Sequence, residues 1–290
     1  MTSKITCFFE YFKYLKNPIS CLLFKFGLKK EVTIKFKNTN YELTVNSIRA
    51  INNIMNLTRW YGYNPELGEY INKLYSGDEI FTVLDDIKIY NPSMYPLNEI
   101  FIEYFIDYYS DFDIDYKDRI IIDIGANSGD TALYFASKGA TVYGFEPVRE
   151  YYEMALKNFD LNPDLSKNIK IFNYGVSHKK GKINIDAMDS TSRYVSEGDS
   201  YSVDIISIKD IMNQITPDLL KMDCEGCEFE IIENSDLSKF NEIIFEQHSM
   251  IVGKDAGILI DSLKKSGFKI EIASVFGENL DDLSLIHAYK

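Results

Sequence analysis

Residues 219–232 read LLKMDCEGCEFEII and crowd Asp223, Glu225, Glu228 and Glu230 around Cys224 and Cys227. Two chemistries compete for such a stretch. A Cys-x-x-Cys pair has the spacing of a metal clip or a dithiol, whereas grouped carboxylates suit proton removal from a weak nucleophile. A tetrahedral zinc site needs two further ligands, and neither a second Cys-x-x-Cys nor a nearby pair of histidines supplies them. The other cysteines, Cys7 and Cys21, lie in the N-terminal segment. A reactive dithiol also wants a lowered thiol pKa, which flanking carboxylates oppose. The acids are therefore the expected chemical groups and no metal is expected. Whether Cys224 and Cys227 join as a disulfide stays open.

A second constellation lies upstream. The apolar run RIIID leads into DIGANSGD (123–130), where Gly125 and Gly129 permit a tight turn before a helix. This is not a dinucleotide fingerprint, because Asn127 stands where the second glycine would be. Asp123, at the strand end, suits an amine better than a pyrophosphate. About 20 residues on, FEP places Glu146 and Pro147 where a carboxylate can accept hydrogen bonds from both ribose hydroxyls. An aminoacyl nucleoside carrying a sulfonium matches these features, so S-adenosylmethionine is the expected cofactor, held by Asp123, Gly125, Ala126, Asn127, Gly129, Glu146, Pro147 and Asp223. NYGVS (173–177) adds Tyr174 and Gly175 as candidates beside the adenine.

Methyl transfer from a sulfonium is an in-line displacement, and the enzyme's main task is to hold the acceptor atom behind the methyl group. A hydroxyl acceptor also needs a base. Asp223 ends the LLKMD strand and points to that cleft; Glu225 and Glu228 follow, to bind acceptor hydroxyls or cap the next helix. His248, in FEQHSM (245–250), ends the next strand and is the natural base near neutral pH. The catalytic candidates are Asp223, Glu225 and His248. Lys221 is expected to pair with a carboxylate, and His178 and His287 to be structural.

The elements that position these residues follow from periodicity. From 117 onward, apolar strand-length runs alternate with helical segments, which predicts a doubly wound, mostly parallel sheet with ligands at the carboxyl ends of its strands. FKIEIAS and LSLIHAY close the chain as two strands and predict an antiparallel edge. Residues 1–116 read as a smaller mixed α/β module. Its parts are a helical N-terminus, a hairpin over 32–45, a helix over 46–63 with Ile48, Ile51 and Met55 on one face, a strand pair ending at Pro92, and a helix over 97–112. GKINIDA and YSVDIISIKDIM form an inserted pair of strands with a short helix.

Charge narrows the partners. The 290 residues carry −13, yet residues 1–40 hold eight lysines and two glutamates, a net +6, leaving −19 on the rest. An acidic body argues against a nucleic-acid partner and favours a small-molecule or glycan acceptor. The basic, aromatic N-terminus suggests contact with an anionic surface such as a membrane; the competing expectation, which the sequence favours, is a helix that packs its aromatics and solvates its lysines. No run near ~20 apolar residues is present, so a spanning segment is not expected. Four cysteines form no disulfide framework, which makes a reducing cytoplasm the default. Oligomeric state is not legible.

Taken together, IIDIGANSGDTALYFASKGATVYGFEP, IKIFNYGVS and LLKMDCEGCEFEIIENS resemble the FkbM-type S-adenosylmethionine-dependent methyltransferases over roughly 118–250. The specific blocks are the D-x-G-A-N-x-G turn with its later E-P, and Lys221, Asp223, Glu225, Gly226 and Glu228 of the K-x-D-x-E-G-x-E run. The resemblance implies a class I methyltransferase fold and O-methylation of a hydroxyl, often on a sugar or natural product. A nucleic-acid methyltransferase and a nicotinamide-dependent oxidoreductase are the alternatives. The acidic body opposes the first, and Asn127 with the acidic loop opposes the second.

Overall fold

The computed structural model describes residues 4–37, 40, 42–61, 80–82, 87–90, 109, 112–186, 200–275, 280 and 284–290. The chain divides into two compact units, Met1–Val83 with Tyr90–Ile106, and Leu84–Ile89 with Asp107–Lys290. Leu84–Ile89 joins the larger unit, where the Lys88 backbone exchanges two hydrogen bonds with the Asn162 side chain (2.8 and 2.6 Å).

In the smaller unit, helices α1 (Lys4–Tyr14) and α2 (Pro18–Lys25) precede strands β1 (Val32–Lys35) and β2 (Glu42–Val45), then helix α3 (Ile48–Tyr61). β1 and β2 pair antiparallel, and alternation buries Val32, Ile34, Leu43 and Val45 on one face. Asn17 ties α2 to β1: its Oδ1 accepts from Lys35 N–H (3.0 Å) and its Nδ2 donates to Thr33 C=O (2.7 Å). α3 buries Ala50, Ile51, Ile54 and Met55, while Ile48, expected on that face, is exposed at the first turn. Strand β3 (Ile80–Thr82) follows, whereas β4 (Lys88–Tyr90) begins in the segment that belongs to the larger unit. The helix expected over 97–112 lies almost wholly outside the described residues, as does the centre of the 178–200 insertion.

The larger unit runs β5 (Ile120–Ile124), α4 (Asp130–Ser137), β6 (Thr141–Phe145), α5 (Arg149–Leu161), α6 (Pro163–Ser166), β7 (Ile169–Phe172), β8 (Gly175–Ser177), β9 (Gly181–Asp186), β10 (Ser200–Ser207) and α7 (Ile208–Gln214). It continues with β11 (Leu219–Met222), α8 (Cys227–Asn234), β12 (Glu242–Gln247), α9 (Ser249–Val252), α10 (Gly257–Lys265), β13 (Lys269–Val275) and β14 (Ser284–Tyr289). Seven strands form one sheet in the order β7-β6-β5-β11-β12-β14-β13. β5, β6, β7, β11 and β12 are parallel, and β14 runs antiparallel between β12 and β13. This order, third-second-first-fourth-fifth-seventh-sixth, is that of the class I methyltransferase fold.

Burial explains the sheet's composition. Ile121, Ile122, Leu219, Leu220, Ile243 and Ile244 are inaccessible to solvent, as a parallel strand covered on both faces requires. The order reverses between β5 and β11, so the loops after these two strands diverge to opposite sides and open a crevice at their carboxyl ends. IKIFNYGV carries the pattern of a single strand, but the structure divides it into β7 and β8. The chain leaves the sheet at Asn173, whose Nδ2 donates to the carbonyls of Glu146 (2.8 Å) and Pro147 (3.1 Å). β8 then pairs with β10 in a separate three-stranded sheet.

Candidate active site

Three strand ends build the site, and the first is the glycine turn after β5. The amides of Gly125 and Ala126 both donate to Phe145 C=O (2.9 and 3.1 Å), clamping the turn to the end of β6. Gly125 has φ +79°, and a Cβ there would stand 1.8 Å from the Asp223 carbonyl oxygen, so only glycine lets these loops meet. Gly129, at φ +77°, begins α4 with the Phe159 ring 2.7 Å from where a Cβ would stand. Asn127 is also left-handed (φ +45°), a conformation asparagine tolerates better than most residues. Ala126 is buried beneath the turn.

Glu146, just past β6, closes the turn from the other side. Its carboxylate accepts from Asn127 N–H (2.8 Å) and Val148 N–H (2.7 Å) and is almost fully buried. Burial pushes its pKa up to about 7, against the pull of those two amides. Asp123 is deeper still and faces Lys221 across the β5–β11 register, Nζ to Oδ1 3.0 Å. Burial raises Asp123 to about 6, with the lysine pulling the other way. Lys221 Nζ also donates to Gly125 C=O (3.2 Å), joining the ion pair to the turn. Lys221 thus takes the partnership expected of it, and Asp123 meets this lysine inside the protein.

The acidic loop after β11 is the second strand end. Cys224 and Cys227 are disulfide-bonded, closing the turn that holds Glu225 (φ +57°) and Gly226 (φ +116°). The question left open by the sequence is answered: the cysteines bond to each other. A Cβ on Gly226 would lie 2.5 Å from Val252 of α9, so that short helix packs directly over the turn. Glu228, fully buried in the first turn of α8, accepts from Cys224 N–H through Oε1 (2.9 Å).

The same Glu228 Oε1 lies 3.2 Å from Nδ1 of His248, at the end of β12. The other ring nitrogen, Nε2, faces Asp223 (3.6 Å) and Glu225 (3.9 Å). Burial depresses the His248 pKa, but the hydrogen bond and charge of Glu228, with Asp223 and Glu246, outweigh it and hold the ring at about 10. The ring is therefore held in its protonated form at neutral pH, with Nδ1 hydrogen-bonded to Glu228. Buried Gln247 anchors the backbone leading to it: Nε2 donates to Leu280 C=O (2.6 Å), and Oε1 accepts from Ser249 N–H (2.8 Å).

The structure brings Asp223, Glu225, Glu228 and His248 together as one cluster. Pro147 and Gly175 approach each other at the end of β6 (3.9 Å from a Cβ on Gly175), and Tyr174 is exposed beside them. Glu246 is a residue that sequence reasoning missed. It precedes His248 by two positions and so shares its side of the strand, which is the signal that could have found it. Asp223, Glu246 and His248 each place one donor atom within 4.8 Å of the others, a spacing that a small cation can bridge; no cysteine takes part. His178 pairs with Glu230 (3.0 Å) and His287 with Glu242 (3.1 Å), both away from this cluster.

Around the glycine turn, Asp123, Asp130, Glu146 and Asp223 gather against the buried Lys221. Such an excess of carboxylates fits a cationic aminoacyl nucleoside and disfavours a pyrophosphate.

No curated protein sequence matches the chain significantly. Among solved structures, the methyltransferase FkbM from Methylobacillus flagellatus KT aligns over 83% of this chain and 59% of its own, at 13% identity and a TM-score of 0.45. The precorrin-6y C5,15-methyltransferase of Geobacter metallireducens GS-15 aligns over 62% of this chain and 85% of its own, at 14% identity and a TM-score of 0.39. Aeropyrum pernix fibrillarin, solved with S-adenosyl-L-methionine, aligns over 61% and 69%, at 15% identity and a TM-score of 0.39. These likenesses are distant, and the assignment rests on the family match and the strand order. Residues 123–270, about half of the chain, match the methyltransferase FkbM domain, and the chain belongs to that family of S-adenosylmethionine-dependent methyltransferases.

Proposed function

We propose that the protein is an O-methyltransferase acting on a hydroxyl of a sugar, glycolipid or other small hydroxylated molecule, with His248 as the base. The observation that carries this reading is the Glu228–His248 pair, whose free ring edge meets Asp223 and Glu225 where the ends of β11 and β12 adjoin. Bound S-adenosylmethionine supplies an electrophilic methyl group on a cationic sulfur. The chain supplies position and proton management.

Asp223 and Glu225 accept hydrogen bonds from acceptor hydroxyls and hold one oxygen in line with the methyl carbon. His248 loses its extra proton to solvent water more readily once a second positive charge shares its carboxylates, because like charges disfavour the protonated ring. Neutral His248, kept in one tautomer by Glu228, then takes the hydroxyl proton through Nε2 as the carbon–oxygen bond forms. The exposed Met250 and Ile251, two and three residues after His248, suit an acceptor with an apolar portion beside its hydroxyls. The −19 carried outside residues 1–40 supports a small or glycan acceptor over a nucleic acid.

The test is a screen of extract fractions with methyl-labelled S-adenosylmethionine. A labelled product that survives mild alkali and whose NMR spectrum places the new methyl group on an ether oxygen supports the reading. A label released by alkali is an ester, and a label retained on RNA points to the nucleic-acid alternative; either refutes it.

A further inference from the structure

The two N-terminal helices each bury one apolar face and expose another. In α1, Tyr11 is buried, and Leu15 just beyond the helix continues that side, while Phe9, Phe12 and Lys13 line the opposite face at helical spacing. In α2, Cys21, Leu22 and Phe24 are buried, while Ile19, Leu23 and Phe26 recur at i, i+4 and i+7 on the outside. Phe9, Phe26 and Leu28 are 65%, 69% and 71% exposed. Among the described residues, six of the fifteen large apolar side chains left exposed fall between 9 and 28. This density is not the scatter of single hydrophobes that a soluble surface normally carries. The sequence favoured packing as the fate of these aromatics, and packing accounts for only one face of each helix.

Lysines frame the exposed stripe. Lys13 and Lys16 flank the aromatic face of α1, and Lys29 and Lys30 follow Leu28; all four are exposed. Residues 1–40 carry +6 while the rest of the chain carries −19. A protein partner would need an apolar patch rimmed by acids to match both features, and single-stranded RNA would leave the aliphatic Ile19, Leu23 and Leu28 without a partner. An anionic bilayer satisfies both parts. Its interface accepts Phe, Leu and Ile to shallow depth, while the lysine stems run along the apolar surface and their ammonium groups meet lipid phosphates. Among the described residues no helix is long and apolar enough to cross a membrane, so contact of this kind lies in the plane of the interface.

We propose that α1, α2 and the Phe26–Lys30 turn form a peripheral docking surface for an anionic lipid bilayer. This surface is built from residues outside the methyl-transfer site, and its test does not depend on which acceptor is methylated. The full chain is sedimented with vesicles of phosphatidylcholine containing about 30% phosphatidylglycerol, and with vesicles of phosphatidylcholine alone. Binding to the anionic vesicles is expected, weakening at about 0.5 M salt as screening removes the lysine contribution. The double variant Phe26→Ser/Leu28→Ser should lose binding, and Lys29→Gln/Lys30→Gln should weaken it by roughly 25-fold, about fivefold for each lysine lost. Ile272→Ser, which removes an exposed apolar side chain elsewhere, should bind as the parent does. Retained circular dichroism and S-adenosylmethionine binding show that each variant is folded. No binding to the anionic vesicles overturns the proposal, as does binding by both double variants as tight as the parent's. Self-association through this face in place of lipid binding also overturns it.

Discussion

Replacing Glu228 by Gln tests the site where its geometry and its titration meet. The amide keeps the shape of the side chain and can still accept from Cys224 N–H, but the charge facing His248 Nδ1 at 3.2 Å is gone. Burial alone would depress His248, so its rise from 6.5 to about 10 rests first on Glu228, then on Asp223 and Glu246. An opposite charge at such range moves a pKa by about 1–3. In the Gln variant His248 should therefore titrate between roughly 7 and 9. The sign for stability follows. A base with a raised folded pKa stabilises the fold fully below its unfolded value and loses that contribution as pH rises through the folded one. For the parent the window is pH 6.5 to about 10, and the full step is worth up to about 5 kcal/mol. Urea unfolding across this window should show the parent losing stability steeply, and Glu228→Gln losing less and at lower pH. Proton NMR reads the titration directly, because the chain has three histidines and His248→Asn identifies the resonance that matters. If His248 still titrates near 10 without the Glu228 charge, the dyad does not control the ring and its role in catalysis fails with it.

Other substitutions probe the remaining parts of the site. His248→Asn should lower kcat by about 10²–10⁴ with S-adenosylmethionine binding retained in calorimetry; a smaller loss would move the base to a carboxylate. Glu146→Ala should weaken cofactor binding by about 1–3 kcal/mol in the same measurement, and unchanged affinity would remove Glu146 from the binding site. Lys221→Met leaves Asp123 buried without its partner and should destabilise the chain by about 3–5 kcal/mol above pH 6, with a smaller loss below, where Asp123 can stay protonated; a pH-independent loss in urea unfolding would contradict the pairing. Cys224→Ser with Cys227→Ser opens a very short loop and should cost about 2 kcal/mol in thermal unfolding while methyl transfer largely persists; loss of a stoichiometric metal from this variant would revive the metal reading.

Alternation of apolar strands with helices places the sheet in the sequence itself. The turn at 123–130, the Glu146 strand end and the 221–228 acids are equally visible, because each is a contiguous run whose residue types are set by local chemistry. The break between β7 and β8 is not visible. Eight residues of strand-like pattern (169–176) run through it, and the chain leaves the sheet where the Asn173 side chain reaches back to Glu146 and Pro147.

What the sequence by itself determined was which residues carry chemistry and which fold class presents them, since period and turn composition act over a few residues at a time. Tertiary structure decided the partnerships. Asp123 and Lys221 are 98 positions apart and meet through strand register; Glu228 and His248, 20 apart, meet because β11 and β12 lie side by side. Glu246 enters the cluster for the same reason. The disulfide, too, is a matter of conformation: the left-handed turn at Glu225 and Gly226 brings the Cα atoms of Cys224 and Cys227 to 5.4 Å. The exposed faces of α1 and α2 belong here as well, because burial is assigned by what packs against a helix, and periodicity marks apolar faces without saying which of them stays uncovered.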